Sequence, residues 1–331
     1  MTRRSPAREL VEYVPFVLAL RALGRLPLPL AQATGRLLGH LAWLLLRRRR
    51  EVALANLTRV WGDRLAPDEI RRIARRSFVS LGLLVADFAG LRHLEAAEVK
   101  RRVRYDGWER YLEAKARGRG VLYLAAHFGS WELIPYAQAL LGHPMAFIVR
   151  PADNPRIEGV IRADRERSGN AAVAKQDALR ECLKRLKAGE TVGILIDQHV
   201  PADGGVPVRF LGQPTHATSA LAALALRTGA PVLPAFAIRE GKGRHRIVLG
   251  PEVEVVRTGD RERDLVETTA RFTAVVERFV EEHPDHWLWV HRRFREAQDV
   301  AAASTLAASL EEERAGPASI VPLAHSRIAA R

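Results

Sequence analysis

His127 and Glu132 are the two residues of this sequence whose types and spacing most directly suggest chemistry. An imidazole titrates near neutral pH, so it can take a proton from a hydroxyl and return it to a leaving group. A carboxylate bonded to the other ring nitrogen would fix the tautomer and stabilise the imidazolium. The pair indicates either a general base with its orienting carboxylate, or a strand-end histidine bonded to backbone beside a glutamate that stabilises a helix N-terminus.

The elements around this pair would position it at the edge of a sheet. Val121–Ala125 is a continuous apolar run, which predicts a buried strand that ends just before His127. Gly129 predicts a turn, and Ser130 is a candidate N-cap of a helix whose first turn contains Glu132. Ligands of open α/β sheets bind outside the carboxyl ends of the strands, so we expect a site here.

From about residue 104 onwards, predicted strands and helices alternate along the chain. This alternation predicts an α/β fold in which a central mixed sheet is flanked by helices on both faces. The predicted strands span residues 121–125, 145–150, 191–196 and 231–238, with a strand pair in 246–256 and a last strand at 287–290. The predicted helices span residues 63–98, 131–141, 154–167, 176–188, 217–227 and 261–283.

Residues 10–46 are unusually apolar, but they lack the clean run of about 20 apolar residues that a spanning helix requires. No cleavable signal peptide is evident. Residues 28–46 have helical spacing, and four arginines follow at 47–50. An apolar stripe that ends in an arginine cluster predicts an amphipathic, membrane-associated helical segment over residues 1–50. A single membrane span with its arginines on the cytoplasmic side, and a plain core helix, are the alternatives.

The composition favours a folded globular protein with an anionic partner. Of 331 residues, 47% are hydrophobic, and 52 Lys and Arg against 38 Asp and Glu give a net charge of +14. The single cysteine, Cys182, excludes an internal disulfide and a multi-cysteine zinc site, and we expect neither a metal nor a cofactor. Because the sequence has no recognised nucleic-acid-binding motif, the charge favours an anionic membrane, a phosphorylated substrate or an acidic carrier protein.

Residues 127–132, His-Phe-Gly-Ser-Trp-Glu, resemble the HFGNWE motif of the late acyltransferases of lipid A biosynthesis, the lauroyl and myristoyl transferase family. The pattern H-x4-D/E is shared by the wider glycerolipid acyltransferase superfamily. Four further blocks resemble the same family in the same order, at residues 150–155, 196–198, 210–234 and 287–294. The resemblance covers residues 10–296 and departs at Ser130, where the family usually has asparagine.

This resemblance implies an acyltransferase domain over residues 51–296, followed by a helical or disordered tail over residues 297–331. It implies direct transfer of a fatty acyl group from a thioester, of acyl carrier protein or coenzyme A (acyl-CoA), to a hydroxyl of a lipid A precursor. It also implies a place at the cytoplasmic face of the inner membrane, either peripheral or single-pass. The alternatives are another lipid acceptor, such as a phosphoinositol mannoside, a lysophospholipid or an amino-acid lipid, and a non-catalytic basic membrane adaptor.

The resemblance also distributes roles over named residues. His127 would be the general base and Glu132 the carboxylate that orients it. Backbone N–H groups after Gly129, or the guanidinium of Arg150, would stabilise the oxyanion. Substrate contacts are expected from Ser130, Arg150, Asn154, Asp197, Gln198 and Arg292.

Several of these residues have a second interpretation. Arg150 would grip a phosphate or the carbonyl region, or form an ion pair with Asp153 or Asp197. Asp197 and Gln198 would bond sugar hydroxyls, hold Arg150 or satisfy the backbone of their own turn. Ser130 would cap the helix rather than act as a nucleophile.

Overall fold

A seven-stranded mixed sheet forms the centre of the computed structural model, which describes residues 5–175 and 178–294. The strands of this described part are β1 (Val103–Asp106), β2 (Val121–Ala125), β3 (Met145–Val149), β4 (Ala171–Ala174), β5 (Thr191–Leu195), β6 (Val206–Phe210), β7 (Gln213–Ala217), β8 (Val232–Gly241) and β9 (Arg244–Leu249). The sheet has the order β1-β9-β8-β2-β5-β3-β4, and β6 pairs with β7 in a separate antiparallel hairpin. Within the large sheet, β8 and β9 pair antiparallel and the other neighbours pair parallel.

Helices flank this sheet and make up the N-terminal part of the described chain. They are α1 (Pro6–Arg25), α2 (Leu28–Leu45), α3 (Arg47–Trp61), α4 (Pro67–Leu91), α5 (Ala96–Arg102), α6 (Trp108–Ala116), α7 (Leu133–Leu140), α8 (Pro155–Glu166), α9 (Ala178–Lys187), α10 (Ala220–Thr228) and α11 (Arg261–Glu282). The predicted α/β fold, with a central mixed sheet flanked by helices, is therefore confirmed.

Strand β2 lies between β8 and β5 in the middle of the sheet. All of its residues are buried, as a continuous apolar run predicts for a strand that is covered on both faces. Leu122 pairs in parallel with Val192 of β5 and with Val232 of β8. Because β2 and β5 run in the same direction, the segments 126–132 and 196–199 that follow them meet at one edge of the sheet.

The N-terminal helices pack closely on the rest of the described chain. A Cβ atom on Gly39 would lie 2.5 Å from the backbone oxygen of Phe78, so glycine allows α2 to approach α4 at this point. The other side of α2 leaves leucines exposed, among them Leu37, Leu44 and Leu45. No helix within residues 5–175 and 178–294 is both long and apolar enough to cross a membrane. Membrane association of residues 1–50 stays a prediction.

Two predicted ranges contain a different number of elements in the structure. Residues 63–98 form two helices rather than one, because the chain turns after α4, where the backbone N–H groups of His93 and Leu94 bond to the carbonyls of Gly90 and Leu91. Residues 246–256 contribute only the strand β9 rather than a strand pair. The predicted tail over residues 297–331 lies outside the described residues.

Residues 287–290 do not form the predicted last strand. They follow a short 3-10 helix, Pro284–His286, and the backbone N–H of Trp289 donates to the backbone carbonyl of Trp287. This local turn buries both indole rings in the core instead of extending the chain. The hairpin of β6 and β7 is an unpredicted element, since each of its strands contains a proline that weakens the strand signal.

Candidate active site

His127 and Asp197 lie next to each other at the sheet edge formed by the ends of β2 and β5. Each of them follows the last residue of its strand by two positions. His127 Nδ1 is 2.9 Å from Asp197 Oδ1, and the backbone N–H of His127 donates to the same oxygen at 3.1 Å. The parallel pairing of the two strands thus brings together residues that are 70 positions apart in sequence.

Asp197 is a buried carboxylate with a donor on each oxygen. The indole N–H of Trp287 donates to Oδ2 at 2.8 Å, opposite the contact with His127. Burial alone would raise the pKa of the Asp197 carboxyl, but the charge of protonated His127 and the hydrogen bonds from His127 and Trp287 lower that pKa to about 2. The carboxylate is therefore ionised at neutral pH. It favours the imidazole tautomer with the proton on Nδ1 and the lone pair on Nε2.

The other ring nitrogen, His127 Nε2, faces an exposed side chain. The amide nitrogen of Gln198 lies 3.2 Å from Nε2, and Gln198 is exposed. The imidazole itself is 19% exposed, and its ring packs edge-on against Trp131 at 5.2 Å between centroids. A hydroxyl that displaced the Gln198 amide would meet a basic lone pair whose direction is set from behind by Asp197.

Glu132 forms an ion pair with Arg165 of α8 instead of bonding to a ring nitrogen of His127. Its oxygens lie 3.0 Å from Arg165 Nε and 2.5 Å from Arg165 Nη2, which is a bidentate geometry. Both ring nitrogens of His127 have other partners, and the backbone of Glu132 already has helical dihedrals next to α7. The carboxylate on the imidazole is thus Asp197, and this corrects the expected arrangement in which Glu132 orients the ring.

The turn between β2 and α7 is held on three sides. Phe128 pairs with Trp287 in an isolated antiparallel β-bridge, and the Gly129 N–H donates to the carbonyl of His286 at 2.9 Å. The Ser130 N–H donates to the carbonyl of Ala237 on β8 at 3.2 Å. Gly129 has a φ of +59°, and a Cβ there would clash with the Ala237 oxygen, so this position requires glycine. Of the expected oxyanion donors, the backbone N–H groups after Gly129, the one of Ser130 is therefore already occupied.

Ser130 is fully buried and its hydroxyl neither caps α7 nor faces the surface. Its Oγ donates to Asp87 Oδ2 of α4 at 2.5 Å and accepts from Arg239 Nη2 of β8 at 2.7 Å. The expected roles of helix cap and substrate contact, and the alternative role of nucleophile, therefore do not fit this arrangement. Asp87 and Arg239 were not found by sequence reasoning, because they lie 43 and 109 positions from Ser130 in segments without a motif.

Arg150 and Asn154 lie on the segment that leads into α8. Arg150 is exposed and lies 3.6 Å from Asp153, which is the ion-pair alternative of the sequence analysis. The carboxamide of buried Asn154 caps α8 by accepting from the N–H groups at its start, and it donates to Glu9 and Glu12 of α1. All its hydrogen-bonding groups are used inside the protein, so its expected substrate contact is not available in this arrangement.

Arg292 and Arg293 are consecutive in sequence and have opposite surroundings. Arg292 is exposed, as a phosphate-binding residue must be. Arg293 is buried and donates to the carbonyl of Gln198 at 2.8 Å and to the carbonyl of His216 at 2.6 Å. It therefore holds the loop after β5 in place. The sequence alone does not show which of two consecutive arginines is buried and which is exposed.

Comparison with known proteins places the chain in one family. The family model described as bacterial lipid A biosynthesis acyltransferase matches residues 2–296. The chain is 27% identical over 273 residues to a lipid A biosynthesis palmitoleoyltransferase of Escherichia coli K12, covering 82% of this chain and 87% of that protein. It is 29% identical over 275 residues, with the same coverage, to the lauroyltransferase of the same organism.

A third relative is the lipid A biosynthesis myristoyltransferase of Escherichia coli K12, which is 24% identical over 262 residues, a match that spans 79% of each chain. The names of these relatives share lipid A biosynthesis and differ in the acyl group. A family match over nearly all of the described residues establishes membership, and the chain therefore belongs to the bacterial lipid A biosynthesis acyltransferases.

Proposed function

We propose that this acyltransferase moves a fatty acyl group from a thioester, with acyl carrier protein as the main donor, to a hydroxyl of a lipid A precursor. The observation that carries the proposal is His127 at the sheet edge, with buried Asp197 on Nδ1 and an exposed, displaceable amide on Nε2. This is the arrangement that a general base needs to act on an incoming hydroxyl.

The transfer is direct, and one imidazole both removes the proton from the acceptor hydroxyl and returns it to the leaving thiolate. The acceptor hydroxyl replaces the Gln198 amide at His127 Nε2 and gives up its proton as its oxygen bonds to the thioester carbonyl carbon. The carbon–sulfur bond then breaks, and the imidazolium returns the proton to the thiolate. Asp197 stabilises the imidazolium between these two steps. No acyl-enzyme intermediate is formed, in keeping with the burial of Ser130.

The displaced Gln198 amide is our candidate donor to the oxyanion. It lies beside the nitrogen that receives the proton, so a small rotation keeps its N–H groups near the reacting carbonyl carbon. Its main chain is fixed by the bond from Arg293 to its carbonyl oxygen, and its side chain is free to move because it is exposed. Glu132 forms an ion pair with Arg165 beside Trp131 and does not act on the imidazole of His127.

The excess positive charge of the chain suits the proposed partners. Lipid A precursors carry phosphates and acyl carrier proteins are acidic, so a net charge of +14 attracts both to the protein surface. Exposed Arg150 and Arg292 are the candidate phosphate contacts. We further propose that the exposed leucines of α2 and the arginines at 47–50 bind the anionic cytoplasmic face of the inner membrane peripherally.

The test is to incubate the purified chain with a lipid A precursor and an acyl carrier thioester and to weigh the lipid products by mass spectrometry. We expect the precursor to gain the mass of one acyl group, at a higher rate with acyl carrier protein than with acyl-CoA. Acylation of a lysophospholipid or a phosphoinositol mannoside in its place would transfer the proposal to that acceptor. No acylated product from any of these acceptors would favour the non-catalytic adaptor and overturn it.

A further inference from the structure

A cluster of four polar side chains is buried beneath the turn that carries His127. It consists of Asp87 on α4, Ser130 in the turn, Arg239 on β8 and His245 on β9, and we call it the buried polar cluster. The side chains of Asp87, Arg239 and His245 are 8%, 6% and 2% exposed, and Ser130 is fully buried. None of these residues takes part in the proton transfer proposed above.

The contacts of the cluster converge on two oxygen atoms. Asp87 Oδ2 accepts from Ser130 Oγ at 2.5 Å, from Arg239 Nη2 at 2.9 Å and from His245 Nε2 at 3.2 Å. Ser130 Oγ in turn lies 2.7 Å from Arg239 Nη2 and 3.0 Å from His245 Nε2. Ser130 and Asp87 thus meet the same imidazole nitrogen, so His245 cannot pass a proton between them as in a catalytic triad.

The carboxylate of Asp87 is the ionised group at the centre of the cluster. Burial would raise the pKa of the Asp87 carboxyl, but the hydrogen bond from His245 and the charge of Arg239 hold that pKa well below its usual range. A buried ion pair costs desolvation energy that an apolar packing would avoid, so it contributes little to the stability of the fold. The part of the cluster that reaches the active site is the hydroxyl of Ser130, three residues after His127.

We propose that Ser130 is a positioning residue that anchors the turn of His127 to α4, β8 and β9 through the buried polar cluster. The main chain of the turn already bonds to β8 and to the segment after α11. The hydroxyl adds a third attachment, to α4, and so fixes the tilt of the turn and the direction of the imidazole. This inference rests on the proposed role of His127 and extends it to a residue that touches no substrate.

The substitution Ser130→Ala removes the hydroxyl of the turn and leaves the charged contacts of the cluster in place. Without the hydroxyl, Asp87 still contacts Arg239 and His245, so no buried charge loses its partner. The matched control is Ser80→Ala, because Ser80 on α4 accepts from Arg239 Nη1 at 3.0 Å. Both variants remove one buried or nearly buried hydroxyl from the same guanidinium, but only Ser130 belongs to the turn of His127.

The experiment measures kcat, KM for the acyl thioester and the melting temperature of the wild type and of Ser130→Ala, Ser130→Cys and Ser80→Ala. For Ser130→Ala we expect kcat to fall about 10- to 100-fold with KM within about twofold, because a misplaced base affects the transition state more than binding. Ser130→Cys, which keeps the shape and only a weak donor, should fall between Ser130→Ala and the wild type. Ser80→Ala should keep wild-type kcat.

Two results would overturn the inference. One is a kcat of Ser130→Ala and Ser130→Cys equal to that of Ser80→Ala. The other is a loss of turnover that merely follows a melting temperature far below that of Ser80→Ala, since Ser130 would then be structural. Failure of the proposed function is distinguishable from both, because the wild type itself would then not acylate the lipid A precursor.

Discussion

At the scale of single residues, one imidazole lies between a buried carboxylate and an exposed amide. Asp197 fixes His127 from behind, Trp287 fixes Asp197, and Gln198 occupies the nitrogen that would receive a proton. The direction of the imidazole is therefore set by Asp197 and Trp287, which are both buried. In the proposed mechanism, the ability of His127 to act as a base depends on the tautomer that Asp197 imposes.

Replacement of Asp197 by asparagine tests that dependence. The new side chain could still accept from Trp287 with its oxygen, but its amide group would then face Nδ1 of His127 and force the proton onto Nε2. For Asp197→Asn we expect kcat to fall about 100- to 10,000-fold with little change in the fold, as measured by steady-state acyl transfer and circular dichroism.

The matched control is Asp203→Asn, which makes the same chemical change at an exposed position six residues further along the chain. It should keep wild-type turnover. If Asp197→Asn retained the kcat of this control, Asp197 would not set the tautomer of His127.

The sequence alone predicts His127 and the sheet edge, but it does not predict which carboxylate meets the ring. Glu132 is near His127 in sequence, whereas Asp197 is near it because β2 and β5 are neighbours in the sheet. Strand order is a property of the whole fold and leaves no mark in local spacing. The same holds for Asn154, whose role as the cap that joins α8 to α1 depends on where α1 packs.

At the scale of elements, the turn from β2 into α7 is the structure on which the site depends. It is held by backbone bonds to β8 and to the segment after α11, and glycine at position 129 allows the close approach to Ala237. Its strand was predictable because a continuous apolar run favours a buried parallel strand. Residues 287–290, which are also apolar, fold as a turn because their two indole rings are buried in the core.

Gly129→Ala should disrupt this turn. Alanine at a φ of +59° is strained, and its Cβ would overlap the Ala237 carbonyl oxygen, so we expect the free energy of unfolding to fall by about 3 kcal/mol or more. Acyl transfer should be lost at the same time. Denaturant unfolding and a turnover assay measure the two effects.

Gly142→Ala serves as the control for backbone strain alone. Gly142 also has a positive φ, of +92°, but a Cβ there meets nothing within 4 Å. The free energy of unfolding of this variant should fall by about 1 kcal/mol, and its acyl-transfer activity should be unchanged. Equal destabilisation of the two variants would show that the contact with Ala237 is not what makes glycine necessary at position 129.

At the scale of the whole molecule, a basic protein presents an apolar helix surface beside an arginine cluster. Leu44 and Leu45 of α2 are 63% and 75% exposed, and the arginines at 47–50 follow directly. Helical spacing predicts the apolar stripe, and the arginine cluster is visible in the sequence itself. It did not predict that α2 would pack on α4 through Gly39, which leaves the opposite side of the helix exposed.

The double variant Leu44→Asp with Leu45→Asp should bind anionic vesicles at least about 10-fold more weakly than the wild type, because two apolar contacts are replaced by like-charged groups at the lipid surface. Flotation with phosphatidylethanolamine vesicles, with and without phosphatidylglycerol, measures the binding. Leu179→Asp, at an exposed position of α9, is the control and should bind as the wild type does. Equal binding of the double variant and this control would exclude α2 as the membrane contact.

The turnover of His127→Ala, compared with that of His93→Ala, decides whether His127 is the general base; His93 is an exposed histidine at the end of α4. Both variants are purified and assayed by the mass gained by a lipid A precursor from an acyl carrier thioester. We expect His127→Ala to fold normally and to transfer about 100- to 10,000-fold more slowly, while His93→Ala keeps the wild-type rate. A folded His127→Ala that transferred acyl groups at the wild-type rate would contradict the role of His127 as the base.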